Sequence, residues 1–290
     1  MSKKRKAEKY VEPLNVKKEA RLLPGYIILV LWVLFEVALL SWIVAASFST
    51  TKEIFSNQML QSGLHFENYI YSWTKGNMGK YFLNSLIYAG FGVSGALLLS
   101  APCAYALSRF KFFYNKVLTN LLVLFLSIPQ IMVVLPLYSI AVKYDLLNKH
   151  LTLLVLYICL NVPFCTFFLL NFFATLSRTF EEAAAVDGCT PIKTFFKIML
   201  PLAQPGIITV GIFLFVNIWN EFFVAMIFAT SSEVRPLAYG LYSLIQAMST
   251  NGKWAELFAS VMIVVVPTFI LYLFLSEKII AGVTGGGIKE

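Results

Sequence analysis

The residues that could do covalent chemistry are few. The only histidines are His65 and His150, and the four cysteines (Cys103, Cys159, Cys165, Cys189) make neither a CxxC pair nor a Cys/His cluster. A zinc site or a Ser/His/Asp site therefore has nothing to build on, and the cysteines read as small apolar packing residues. No GxxxxGK-S/T loop occurs. Gly76-Asn77-Met78-Gly79-Lys80 has suitable residue types at the wrong spacing, so no row of backbone amides is set up to cradle ATP phosphates. No nucleophile is paired with a base, so neither enzyme activity nor a metal or cofactor is expected.

What remains suits binding. Asn217, Trp219, Asn220 and Glu221 are the most polar cluster within an apolar stretch. Ionisable groups at membrane depth are costly and usually face a cavity or a partner helix. Tryptophan beside asparagine also fits a sugar, whose ring face stacks on an aromatic while its hydroxyls pair with amides. These four are the candidate translocation-pathway residues. The alternative readings of the same four are an interhelical hydrogen-bond cluster and, after it, a Glu221 that reaches the outer interface. Glu36, alone in the first apolar stretch, is expected to pack against a polar group of a neighbouring helix.

The second chemically distinct block is residues 181–206, EEAAAVDGCTPIKTFFKIMLPLAQPG. A charged residue at mid-bilayer costs about 2.5–3.5 kcal/mol, so this block must lie at a membrane surface between the apolar stretches that flank it. Thr179 and Glu182 have capping-box spacing for a helix start. Ala183, Ala184 and Ala185 favour helix and leave room for a partner to approach. Gly188 permits a turn, Thr190 and Pro191 read as the cap and first residue of a second helix, and Pro201 and Pro205 break it.

These sites must be held by a membrane bundle. Of 290 residues 59% are hydrophobic and 13% charged, with a mean hydropathy of +0.76; soluble domains are nearer 25% charged. Six stretches are long enough to cross: Pro24–Phe48, Tyr81–Leu107, Val117–Val142, Leu151–Ala174, Gly206–Thr230 and Leu257–Ile280. Pro129 and Pro136 interrupt the third and Pro163 the fourth. Gly90, Gly92, Gly95 and Ala96 would let the second pack closely. The net charge of +8 follows topology rather than nucleic-acid binding. With both termini in the cytoplasm, 16 Lys/Arg fall on cytoplasmic segments and seven on outer ones. That orientation also puts residues 177–205 in the cytoplasm. The N-terminal KKRK run anchors the first span, which is too long for a signal peptide.

Glu182-Ala183-Ala184, Asp187-Gly188, Ile198 and Leu200-Pro201 resemble the EAA loop of ABC importer permeases, with Cys189 where alanine is usual. The Trp219-Asn220-Glu221-Phe222 stretch and the glycine-rich end from Gly282 to Glu290 resemble the carbohydrate, maltose-type branch and its second membrane subunit. The resemblance implies an all-α membrane protein of six transmembrane helices with a cytoplasmic coupling-helix loop, like a type I ABC importer permease. It implies that Glu182, Ala183, Ala184, Asp187, Gly188, Ile198, Leu200 and Pro201 dock an ATPase. It also implies that Ser249, Asn251, Gly252 and Trp254 contact an extracellular solute-binding protein. Loop 249–254 has an alternative reading as an ordinary interfacial loop, with Trp254 in the aromatic belt.

The expected partners are a homologous permease subunit, two ATPase subunits, the binding protein, a sugar (an oligosaccharide by this branch) and the lipid bilayer of a bacterial cytoplasmic membrane, with no nucleic acid. The expected layout is a basic cytoplasmic tail (1–23), a first span and outer loop (24–80), a five-span core (81–280) containing the EAA loop 177–205, and a cytoplasmic tail (281–290). An ion-coupled secondary transporter and an importer of glycerol phosphate are the competing readings.

Overall fold

A computed structural model describes residues 16–285, with side chains for 22–247 and 252–274. The first fifteen residues of the expected basic tail, the last five of the C-terminal tail, and the side chains of Ser249 and Asn251 lie outside the described residues.

Among the described residues all regular structure is helical. The first part of the chain gives α1 (Val16–Ser47), two short helices α2 (Thr51–Phe55) and α3 (Glu67–Thr74), then α4 (Met78–Arg109), α5 (Asn115–Ser127), α6 (Gln130–Lys143) and α7 (His150–Thr175). A bracket follows, of α8 (Thr179–Val186), α9 (Pro191–Thr194), a π-helical turn over Phe195–Met199, and α10 (Leu200–Leu202). The chain ends with α11 (Gln204–Trp219), α12 (Phe223–Phe228), α13 (Leu237–Asn251) and α14 (Trp254–Gly285).

Four of these helices, α1 from Leu22, α4, α7 and α14, are long and apolar enough to cross a membrane unbroken. The third expected span is a broken one: α5 and α6 meet at 94°. Pro129 causes the break, because its ring forces Ile128 into extended backbone (ψ 123°). The fifth span is also not the continuous helix its apolar run suggests. It enters from the bracket through a 72° bend at Ala203 and breaks again between Trp219 and Phe223. Pro205 has no N–H to return to the turn before it, which explains the first of these breaks.

The bundle centres on α4, which packs along α7 and against α11, while α11 also packs on α14. Side chains at Gly92 and Gly95 would drive a Cβ to 2.9 Å from Ile218 Cδ1 and 2.6 Å from Ile158 Cδ1. Those glycines set the approach of α4 to α11 and α7. Gly90 faces open space and has no such role. One apolar cluster, around Tyr88, Tyr157, Trp219 and Phe228, fills the end remote from the bracket; a second, around Tyr105, Phe173, Phe195 and Met199, fills the bracket end.

Buried polar groups lock the remote end. The Tyr88 hydroxyl donates to Val234 O (2.8 Å), Asn84 Nδ2 to Glu233 O and Arg235 O (2.9 Å each), and the Leu237 amide to Ser85 Oγ (2.7 Å). These bonds fix the segment after α12 onto α4 with its backbone satisfied. The segment after α1 is secured in the same way. Asn68 Nδ2 donates to Ser47 O and Ser49 O, and Ser72 Oγ to Glu256 O at the start of α14. Helix α1 packs on α14, and Glu36 on it is exposed in this chain.

Candidate functional site

The bracket is built by local rules. Its first helix ends where the Asp187 amide donates to Ala183 O, the Gly188 amide to Ala185 O and the Cys189 amide to Ala184 O (2.9–3.0 Å). Gly188 sits at φ +75°, where a side chain would be strained. Thr190 then caps the second helix, its hydroxyl accepting from the Lys193 amide (3.4 Å), with Pro191 at the first helical position.

The start of α8 departs from expectation. Thr179 is already inside the helix, and the cap position is Arg178, whose side chain makes no capping bond. The Thr179 hydroxyl is engaged with Ser177 Oγ (2.8 Å), which also accepts from the Thr179 amide (3.3 Å). A capping box does form, but at Thr50 and Glu53 ahead of α2.

Ala184, Phe195, Met199 and Ala203 turn into the bundle and are buried, while Glu182, Ala183, Asp187, Gly188 and Pro201 are exposed and Ile198 and Leu200 half-buried. Among the exposed residues are large apolar ones: Val186 is 88% exposed, Ile192 72% and Phe196 60%. The bracket thus shows an outer face of small and apolar side chains edged by acids.

One contact that sequence reasoning missed ties this bracket to the bundle. Arg109, the last residue of α4, lies with its Nε 3.1 Å from Glu181 Oε2, and its Nη2 donates to Leu176 O (2.8 Å) at the end of α7. The Arg109 side chain is 6% exposed and that of Glu181 19%. Both residues line a cavity of about 200 Å³ with Tyr105, Cys189 and Thr194.

The cavity at membrane depth holds about 540 Å³. Its polar lining is Gln130 at the start of α6, Tyr157 and Asn161 on α7, and Asn217 and Glu221 on the fifth span. A neighbouring cavity of about 390 Å³ shares Asn161 and Asn217. Glu221 is held rigidly: Oε1 accepts from the Val224 amide (2.6 Å), and Oε2 from the Ala225 amide (3.1 Å) and the Tyr157 hydroxyl (2.9 Å). The carboxylate therefore caps α12 and makes the break in the fifth span.

Two of the four pathway candidates lie elsewhere. Trp219 is fully buried, stacked on Phe215 (5.6 Å), edge-on to Phe82, with Nε1 donating to Val264 O (3.2 Å). A buried indole N–H needs a partner, and α14 supplies it, so the ring packs as a core residue. Asn220 is exposed, closes α11 through its own backbone and amide to Val216 O, and does not line either cavity. Tyr157, Asn161 and Gln130 were not anticipated. The prolines beside two of them, Pro129 at the break between α5 and α6 and Pro163 inside the continuous α7, were the available signal.

At the remote end Gly252 is exposed with φ +64°, Lys253 Nζ stands 3.9 Å from the Tyr71 ring, and Trp254 lies half-buried and edge-on to Phe55 (6.0 Å). The hydrogen bond to Tyr71 raises the Lys253 amine above its usual pKa.

Comparison with known proteins follows the same lines. Residues 96–281 match the family model described as "binding-protein-dependent transport system inner membrane component". The chain is 33% identical to a diacetylchitobiose uptake system permease protein of Streptomyces coelicolor, over 91% of this chain and 88% of that one. It is 28% identical to a trehalose/maltose transport system permease protein of Thermococcus litoralis, over 95% and 98%. A chain from the crystal structure of a bacterial ABC transporter for the acidic polysaccharide alginate superposes with a TM-score of 0.78 at 22% identity, covering 92% of this chain and 99% of that one.

Proposed function

The chain belongs to the binding-protein-dependent transport system inner membrane component family, and from that premise we propose that it is a membrane-spanning permease subunit of an ATP-driven importer of oligosaccharides. It forms half of the translocation pathway and docks an ATPase through the loop at residues 177–205. It performs no covalent chemistry itself. The relatives' names point to sugars as the cargo class.

The observation that carries the cargo reading is the lining of the membrane-depth cavities. Amide, phenol and carboxylate groups supply hydrogen-bonding partners, and among the described residues neither cavity is lined by a lysine or an arginine. Neutral hydroxyl-rich cargo suits such a wall, whereas glycerol phosphate would call for a cation. The one carboxylate present, Glu221, is already bonded to two amides and a phenol, which removes the coupling site that an ion-driven transporter would need.

Energy must then come from outside, because the sequence has no phosphate-binding loop. The bracket offers the surface for it: Glu182, Ala183, Asp187 and Gly188 exposed on one rim, Val186 and Ile192 beside them. The positive-charge bias supports a topology with both termini and the bracket in the cytoplasm. The complete transporter on this reading contains a homologous permease, two ATPase subunits and an extracellular binding protein, the last meeting the Gly252–Trp254 end. The test is purification of the chain with its partners. Native complex should hydrolyse ATP faster when the loaded binding protein is added, and Glu182→Lys should abolish that stimulation. Stimulation unchanged by Glu182→Lys contradicts the docking role.

A further inference from the structure

We propose that Arg109 is the positioning residue that passes displacement of the bracket to the spans forming the cavity. This rests on the docking reading above, and adds to it the point where the force enters the bundle. Three elements meet at one guanidinium: α8 through Glu181, the end of α7 through Leu176 O, and α4, whose last residue Arg109 is. A fourth is tied in beside it, since Asn115 Nδ2 donates to Leu107 O (2.8 Å) and Phe110 O (2.9 Å), fixing the start of α5 to the end of α4.

From there the route to the cavity is short and made of rigid parts. Helix α5 contributes Leu122, Phe125 and Leu126 to the cavity wall, and α7 contributes Tyr157 and Asn161. The π-helical turn of the bracket is already seated by Phe195 and Met199 in the apolar cluster with Tyr105 and Phe173, whereas α8 buries Ala184 alone. The guanidinium adds the tie for α8: its Nη2 donates to Leu176 O while its Nε faces Glu181 Oε2 at 3.1 Å as an ion pair, so one rigid plane engages both elements at once. At 6% and 19% side-chain exposure the ion pair is screened by salt less than a surface pair. Lysine, with a single point charge on a flexible stem, holds one of the two partners at a time.

The chain carries its own reporter of the cavity: Cys159 is exposed and lines it, while Cys165 is buried. With Cys103 and Cys189 replaced by serine, the rate at which Cys159 in the purified complex reacts with a maleimide reads the cavity's state. Adding ATP and vanadate to the otherwise native complex should change that rate by about fivefold or more, the lower end of common coupling strengths. In Arg109→Gln, with the ATPase still bound, the change should shrink to less than about twofold, Arg109→Lys should fall between, and the charge-swapped pair Arg109→Glu with Glu181→Arg should recover part of it.

Glu181→Gln is isosteric and should lose the response in the same way, so it decides the matter where Arg109→Gln does not assemble. An assembled Arg109→Gln or Glu181→Gln complex with the full nucleotide response overturns the clamp. A native complex that binds no ATPase, or whose Cys159 ignores nucleotide, instead overturns the docking reading on which the clamp stands.

Discussion

The Tyr157 hydroxyl on α7 donates to Glu221 Oε2 at 2.9 Å, while the same carboxylate accepts from the Val224 and Ala225 amides. One side chain thus ends a helix, starts the next and joins the fifth span to the fourth. Glu221→Ala should leave two backbone donors unpaired in a nearly dry place, at about 1–3 kcal/mol each. Tyr157→Phe should cost only about 0.5–1.5 kcal/mol, one ordinary hydrogen bond. Thermal unfolding in detergent should therefore rank native above Tyr157→Phe above Glu221→Ala; equal melting of native and Glu221→Ala rules out the capping role.

The Arg109–Glu181 pair has a stability consequence separate from coupling. Removing one partner of a largely buried pair strands the other charge, at less than the roughly 3–5 kcal/mol of a fully buried pair because Glu181 keeps 19% exposure, and this asymmetry makes a double change milder than expected. Arg109→Met together with Glu181→Leu should melt higher than Arg109→Met alone. A lower melting point for the double variant shows that the two residues are not energetically paired.

Parts of this architecture were legible in the sequence and parts were not, and the division follows range. Thr190, Pro191 and Gly188 act on their immediate neighbours, so their roles could be read from spacing. The same local logic failed at Thr179, because adjacent Ser177 competes for its hydroxyl. The break at Asn220–Phe222 contains no proline or glycine and reads as uninterrupted helix; only the approach of Tyr157 and the bonds of the Val224 and Ala225 amides to Glu221 reveal it. Trp219 looked like a ligand platform because its type suits one. Its burial between α4 and α14 is a property of packing that no window of sequence carries. Arg109 and Glu181, far apart in the chain, each looked like an ordinary membrane-edge charge.

The segment after α1 should be acid-sensitive. Glu53 accepts from the Thr50 amide (2.8 Å) and from the Ser62 hydroxyl (2.7 Å) and amide (2.6 Å), and these bonds, that of the Thr50 amide first, hold its carboxyl at about 2 rather than 4.5. A depressed carboxyl stabilises the fold fully above pH 4.5, and the contribution is lost as pH falls from there towards 2. The protection of residues 50–62 against hydrogen exchange, taken relative to the intrinsic exchange rate at each pH, should fall over that range in the native chain. In Glu53→Gln that protection should be low at every pH. A native protection factor that stays constant between pH 5 and 2 contradicts the assignment.

The cavity wall makes a transport prediction. Asn161→Ala and Asn217→Ala remove the amides that both cavities share, and each should lower uptake of the oligosaccharide that the binding protein retains by about tenfold, the equivalent of 1.4 kcal/mol. Asn220→Ala, at a residue that lines neither cavity, should leave uptake within about twofold of native. Equal losses at all three positions contradict the assignment of the pathway to this wall.

Force transfer at the bracket is the claim on which the rest depends, and Val186, 88% exposed at its rim, is the position from which to probe it. A photo-crosslinking amino acid placed at Val186 in cells should join the chain to a soluble ATP-binding subunit on the cytoplasmic side, and nucleotide should alter the yield. Attachment to an extracellular protein, or labelling of Val186→Cys by a membrane-impermeant maleimide in intact cells, would contradict it.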